Sequence, residues 1–500
     1  MRKWLCVAAL LALPLVVYWP TITHEYGFRD DYSTLREAHE RPGWLMQLTT
    51  SSGRPVYGAL LQASLSEVDQ VAELTMLRAL SALLAGVVGV LLWRQLRRSG
   101  WSELQAGAVG VGVMLLPGMQ VVVGWAIAWP IAVALIVALL GFLLVERGMH
   151  NAGRLGPVCV AAGTALYFIA GLTYQTSALF AIVPIAAALL LRPETTARND
   201  AQWIIVHIGT VFAALFAGFL VMNLVFTEGG VQEMARMRIE PHPFIKLLWF
   251  ARNPLPNSIA LFALRDMLAT PPWFWIVFAG VVAIIVLGFF YGASTAQQRL
   301  RWLFVALLLP FVAHSVSLAA SSQAIGYRTL LPLAGLYLVL AMFGLRAIVA
   351  RFRLPRLAES GALAAVLVTA AVLAWHNAST LIAEPQGNEW KLIEAAANRM
   401  QLKSETRVYL IRPSMESRST QRVYADEYGS LTSDADWAAK EMFKAAIRER
   451  FPDGLPAGMD YLLTTGFGPP PPVGYDLVVD LRELKHMGER APAETTAAER

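Results

Sequence analysis

The chain reads as a mainly α, polytopic transmembrane bundle of about eleven spans, with interfacial helices and a small C-terminal α/β extracytoplasmic domain. Three observations carry that reading. Hydrophobic residues make up 56% of the 500 positions and charged residues only 15%, against about 25% charged in soluble domains. The apolar residues come in runs near the roughly 20-residue length that crosses a bilayer. Finally, Lys and Arg gather at alternate ends of those runs.

The spans are placed near 4–20, 74–93, 104–124, 127–145, 155–173, 175–191, 202–226, 272–292, 302–319, 329–349 and 360–381. None of them contains an Asp or Glu. The first follows Arg2-Lys3 and runs into Pro20-Thr21-Ile22-Thr23, with no small-x-small cleavage site, so it is expected to remain as an anchor. One set of short loops carries Arg94, Arg97, Arg98, Arg147, Arg154, Arg192, Arg198, Arg299, Arg301, Arg346, Arg351, Arg353 and Arg356. The opposite set carries Arg328 alone. The positive-inside rule then puts the N-terminus in the cytoplasm and the C-terminus outside. The net charge of +5 is explained by this topology, and nucleic acid is not expected as a partner. Cys6 and Cys159 both lie in hydrophobic runs and form no disulfide or zinc spacing.

Three long segments fall on the outer side: 21–73, 227–271 and 382–500. The first has an amphipathic stretch from Leu35 to Leu48, broken at Pro42-Gly43, and another from Pro55 to Leu65. Pro55 suits the first helical turn, and both stretches suit helices lying in the membrane interface. The second segment, rich in Pro, Trp and Phe, is expected to do the same. In the tail, Glu389 to Met400 and Asp436 to Arg450 read as helices, and 407–411 and 476–481 as strands. The organisation expected is a transmembrane catalytic domain over 1–381, an α/β domain over 382–490, and a disordered tail over 491–500.

The candidate site starts from Asp30 and Asp31, the first carboxylates after Glu25. A carboxylate pair at a membrane surface can take a proton from a hydroxyl, bind a cation, or cap a helix. Adjacent helical residues do not point the same way, so at most one acts as a base. Other unusual polar groups converge on the same boundary: Arg54, Arg78, Gln120, Tyr174, Gln175, His314 and Arg328. A coupled transporter would hold its polar groups near the midplane. This pattern fits chemistry at the membrane–water boundary instead. Asp434-Ala435-Asp436 has the form of an acidic metal motif but sits in the tail, where it reads as a helix cap.

Asp30-Asp31-Tyr32 after a first span, Ser52-Gly53-Arg54-Pro55 later in the same loop, and Tyr174-Gln175 at an outer span junction together resemble the GT-C superfamily of membrane glycosyltransferases. Within it they look most like the serotype-converting O-antigen glucosyltransferases of bacterial inner membranes. The resemblance implies a polyprenyl-phosphate sugar donor, a glycan acceptor from the periplasmic side, and inverting single displacement. Asp30 or Asp31 would then be the base, with a slight preference for Asp30 that rests on the resemblance alone. Arg328, Arg54 and Arg29 would meet the donor phosphate. Tyr174, Gln175, Gln120, His314 and Tyr32 would contact substrate. No cofactor is implied with certainty; the acidic pair also suits a divalent cation. The alternatives are a transporter or flippase of lipid-linked sugars, or a transferase acting on protein or lipid A.

Overall fold

A computed structural model of the protein describes residues 2–151, 153–234, 238–266, 270–324, 326–413, 428–472 and 474–484. The tail expected to be disordered, 491–500, lies outside them.

Among the described residues seven helices are long and apolar enough to cross a membrane: Val71–Arg98, Ala126–His150, Leu155–Thr173, Ala197–Glu228, Pro272–Gly292, Tyr327–Phe352 and Arg356–Arg399. The chain is a multi-pass membrane protein. The remaining expected spans are shorter or broken. Lys3–Val17 and Gln175–Leu191 are short apolar helices. The third span is a helix pair, Glu103–Leu115 and Pro117–Gly124, bent by 53°. Pro117 causes the bend, because Leu116 before it is driven out of the helical region to ψ 144°. The ninth is broken into Ala296–Leu303, a π-helical turn at Phe304–Leu308, Leu309–Ala313 and Ser315–Ala319. Pro310 withholds an N–H from that ladder, and the wider turn just before it accommodates the loss.

Cross-loop hydrogen bonds test the alternation of these segments. On one end Gln105 donates to Glu359, Trp203 to Glu146, and Arg301 to Asp200. On the other, Ile127 donates to Asp31, Arg54 to Gln175, and Met234 to Ser51. Each bond joins loops that eleven alternating crossings would place on the same side. The bonds agree with Gln175–Leu191 and the broken third and ninth segments as crossings.

Small residues let the spans approach closely. A Cβ on Gly344 would lie 2.2 Å from the Ile284 carbonyl oxygen, so only glycine permits the contact between Pro272–Gly292 and Tyr327–Phe352.

The last helix is 44 residues long, about 66 Å at 1.5 Å per residue. The hydrocarbon core is only about 30 Å thick, so its C-terminal part projects beyond the bilayer. The expected domain boundary at 381/382 falls inside a π-helical turn, Asn377–Ala383, that carries this helix onward into Glu384–Arg399. The tail adds a parallel three-stranded sheet in the order β2-β1-β3, with β1 Thr406–Ile411, β2 Tyr461–Gly466 and β3 Leu477–Asp480. Helix Asp436–Arg450 lies between β1 and β2 in sequence, as a parallel crossover requires.

The interfacial helices expected in the first long loop appear as Asp30–Glu40, Trp44–Thr50 and Pro55–Leu65, and those of the second as Pro243–Arg252 and Pro254–Ile259. The tail sits on the first loop. Tyr32, Leu35, Leu61 and Leu65 share one buried core with Trp390, Ile393, Met442 and Phe443. Arg36 pairs with Glu441 at 2.7 Å, and the Val71 N–H donates to Glu449 at 2.6 Å.

Candidate functional site

Asp30 and Asp31 open the helix Asp30–Glu40 and face different surroundings. Asp30 is exposed and Asp31 fully buried. The Asp31 carboxylate does not cap its own helix. One oxygen accepts the Phe28 N–H at 2.8 Å and the other the Ile127 N–H at 3.0 Å. Burial pushes the Asp31 carboxyl up to about 7, against the lowering effect of those two bonds and of nearby Arg78. Arg29, just before the pair, has φ +46°, a conformation that costs a non-glycine residue energy. Its N–H donates to the Thr432 hydroxyl at 3.0 Å, so the tail holds it.

Arg78 is wholly buried and gathers the loop below the pair. Its guanidinium donates to the carbonyls of Thr21, His24 and Tyr26 and lies 4.0 Å from the Tyr26 ring centroid. Each of those carbonyls would otherwise be an unsatisfied acceptor at a membrane boundary.

A second group forms across 120 residues of sequence. Arg54 Nε donates to Gln175 Oε1 at 2.9 Å, and its guanidinium stacks 4.2 Å over Tyr174. Gln175 Nε2 returns to the carbonyls of Ser52 and Gly53, both at 3.0 Å. Tyr57 joins the two groups: its hydroxyl donates at 2.6 Å to the carbonyl of Ile127, whose N–H serves Asp31. Asp31, Tyr174, Arg54 and Arg328 all act electrostatically on that hydroxyl. Burial raises its pKa above the ordinary tyrosine value.

Arg328 lies 4.6 Å over the Trp125 ring. Trp125 meets Phe28 edge-on at 5.1 Å, and Arg29 lies 5.8 Å from the far partner, Phe28. Two cations thus flank one aromatic pair. A shallow cleft lies there, lined by Phe28, Val121, Gly124, Trp125 and Ile382.

Asp30, Asp31, Arg29, Arg54, Arg328, Tyr174 and Gln175 are therefore linked through Tyr57, Ile127, Phe28 and Trp125. Tyr32 is adjacent but turned inward, with its hydroxyl accepting the Gly27 N–H at 3.0 Å and its ring stacked on Trp390. Gln120 sits elsewhere, under the tail, where its Oε1 accepts from Asn377 and Tyr428, each at 3.1 Å. His314 belongs to a separate aromatic cluster with Trp249 and Phe250. The acidic motif in the tail is not a helix cap: Ala435 holds that position, and Asp436 pairs instead with Lys440 at 2.8 Å. Among the described residues no three His, Cys, Asp or Glu side chains gather as a metal cluster would need.

Sequence reasoning left Tyr57, Trp125 and Glu389 off the site. Trp125 resembles any belt tryptophan at a span end. Glu389 looks like an ordinary helix-surface residue, yet it is buried and accepts the N–H groups of Thr432 and Ser433 at 2.7 and 3.1 Å. Arg78 carried a signal, being the one charge inside the second expected span, 74–93.

No protein-family model matches the chain, and no curated protein matches it in sequence. Among solved structures, the archaeal oligosaccharyltransferase AglB from Archaeoglobus fulgidus, in complex with an inhibitory peptide and a dolichol-phosphate, is similar at a TM-score of 0.41 and 11% identity. The match covers 88% of this chain and 63% of that one, so the chain spans less than two thirds of its neighbour's length.

Proposed function

We propose that the chain is a GT-C-type glycosyltransferase. It moves a sugar from a polyprenyl-phosphate donor to a glycan acceptor such as O-antigen, at the outer face of a bacterial inner membrane. The observation that carries this reading is the cluster around Tyr57, on whose hydroxyl Asp31, Arg54 and Arg328 all act, with Asp30 exposed next to Asp31 in the chain. Asp31 has both oxygens occupied by N–H donors and holds the loop. Asp30 is assigned as the base because, unlike Asp31, it is exposed.

The acceptor hydroxyl oxygen attacks the anomeric carbon, and its proton passes to Asp30. The bond from that carbon to the phosphate oxygen breaks, and the phosphate leaves with the electron pair. A phosphate is a weak base and needs charge stabilisation more than a proton. Arg54 and Arg328 supply it, each pre-oriented on an aromatic face. Attack opposite the leaving group inverts the anomeric centre.

Transfer from a synthetic polyprenyl-phosphate sugar in nanodiscs tests the assignment. Asp30→Asn keeps size but loses basicity, so transfer falls by at least about 100-fold. Full activity in Asp30→Asn ends the base assignment. No transfer by the wild-type protein from any polyprenyl-phosphate sugar ends the transferase reading.

A further inference from the structure

The helix Pro243–Arg252 has two unlike faces. Phe244, Ile245, Leu247 and Leu248 point outward, with Phe244 84% exposed. Lys246, Trp249 and Phe250 point inward and are buried, Lys246 at 1%. The spacing gives both faces at 100° per residue.

The inward face meets His314, which is 2% exposed. The His314 ring stacks on Trp249 at 5.8 Å between centroids and lies 5.5 Å from Phe250. Neither His314 ring nitrogen has a hydrogen-bond partner among the described residues, and neither do Trp249 Nε1 and Ser315 Oγ. All four atoms are buried. Buried polar atoms are nearly always satisfied, so four orphans in three touching residues point to a ligand. Lys246 Nζ lies 4.3 Å from the Trp249 centroid and donates to the Ser322 carbonyl, which leaves two of its three donors. Glu240 acts electrostatically on Lys246, and its carboxylate accepts the His242 N–H at 2.9 Å.

The groups on offer are an ammonium, an indole N–H, a hydroxyl and an imidazole. That set is rich in donors and suits an anion. The same helix offers an exposed apolar face a half-turn away, which suits a hydrocarbon chain. We propose that Lys246, Trp249 and His314 form an entry site for a lipid phosphate, reached from the bilayer past Phe244 and Leu248. The site is separate from the Arg54–Arg328 cluster and receives the carrier on its way to or from it. It rests on the transferase reading only for the identity of the lipid as sugar carrier.

The probe is a polyprenyl phosphate with a photoactivatable group in the isoprene unit next to the phosphate. The full chain is labelled in zwitterionic nanodiscs and the adducts are mapped by mass spectrometry. Adducts are expected in 243–252 and 314–316. They should drop about 10-fold or more in Lys246→Met and His314→Phe, the weight of a charge-assisted hydrogen bond, and persist in Lys246→Arg. Thermal melting of each variant separates lost binding from lost folding. Unchanged labelling in a folded Lys246→Met overturns the site. Equal competition by neutral polyprenol overturns recognition of the phosphate, and equal competition by inorganic phosphate overturns the lipid as its source. A protein labelled as expected that transfers no sugar refutes the transferase reading and leaves this site standing.

Discussion

At the scale of single residues, adjacency in sequence proved a poor guide to shared role. Asp30 and Asp31 differ by one position, yet one faces solvent and the other ties Phe28 to Ile127. The sequence shows that a helix separates such neighbours; it does not show which of them is buried, because the partner N–H lies 96 residues away. Asp31 has a measurable signature. Its folded-state carboxyl titrates near 7, raised by burial from the ordinary 3.8. Between those values the folded protein holds a proton that the unfolded chain has released. Stability from this group is therefore full below about pH 4 and lost as pH rises through about 7. Asp31→Asn should remove that part of the slope in a pH series of thermal melts. It should also cost about 1–3 kcal/mol at low pH, since an amide nitrogen would face one of the two N–H donors. An unchanged pH slope would show that Asp31 is not the titrating group. Glu389, also raised to about 7 by burial, adds a slope of the same sign, so the variant should flatten the profile only in part.

At the scale of elements, boundaries marked by proline were the most legible. Pro55–Leu65 and Asp436–Arg450 match their expected limits, and strand Thr406–Ile411 differs from its expected start by one residue. Strand β2 was not read, because the two threonines and glycine of Tyr461–Gly466 resemble a turn. The break in the ninth span was not read either, since its apolar composition is continuous and only Pro310 hints at it. The bracket on the acidic pair was also invisible, being assembled from three distant elements. Thr432 is its centre: its hydroxyl accepts the Arg29 N–H at 3.0 Å and donates to Gln386 at 2.7 Å, while its own N–H reaches Glu389. Thr432→Val keeps the shape and removes both hydroxyl bonds. It should cost about 1–3 kcal/mol for the buried groups left unpaired, read as a lowered melting temperature. Thr432→Ser restores the hydroxyl and should recover most of it. A Val variant as stable as wild type would show that the Arg29 conformation is held by other contacts.

At the scale of the whole molecule, the lopsided arginines give the expected topology, and the same-side hydrogen bonds agree with its alternation. Neither by itself says which face is cytoplasmic. The expectation from charge bias is that the arginine-rich loops lie inside and the aspartates, Arg54, Arg328 and the tail outside. Single cysteines in a Cys6→Ser, Cys159→Ser background make this measurable. Arg98 and Asp453 are both exposed, and the expected topology puts them on opposite sides. Arg98→Cys removes one of fifteen basic residues on its side, so it leaves the bias intact. In spheroplasts a membrane-impermeant maleimide should label Asp453→Cys at once and Arg98→Cys only after lysis. The reverse pattern would turn the acidic pair toward the cytoplasm. The site geometry would survive that result, because every distance within it is independent of orientation. The acceptor would not: a surface polysaccharide is assembled outside, and a cytoplasmic Asp30 would have to serve a different hydroxyl. Labelling of both cysteines before lysis would break the odd number of crossings between them, and with it the placement of the bent third segment, Gln175–Leu191 or the broken ninth segment as a span.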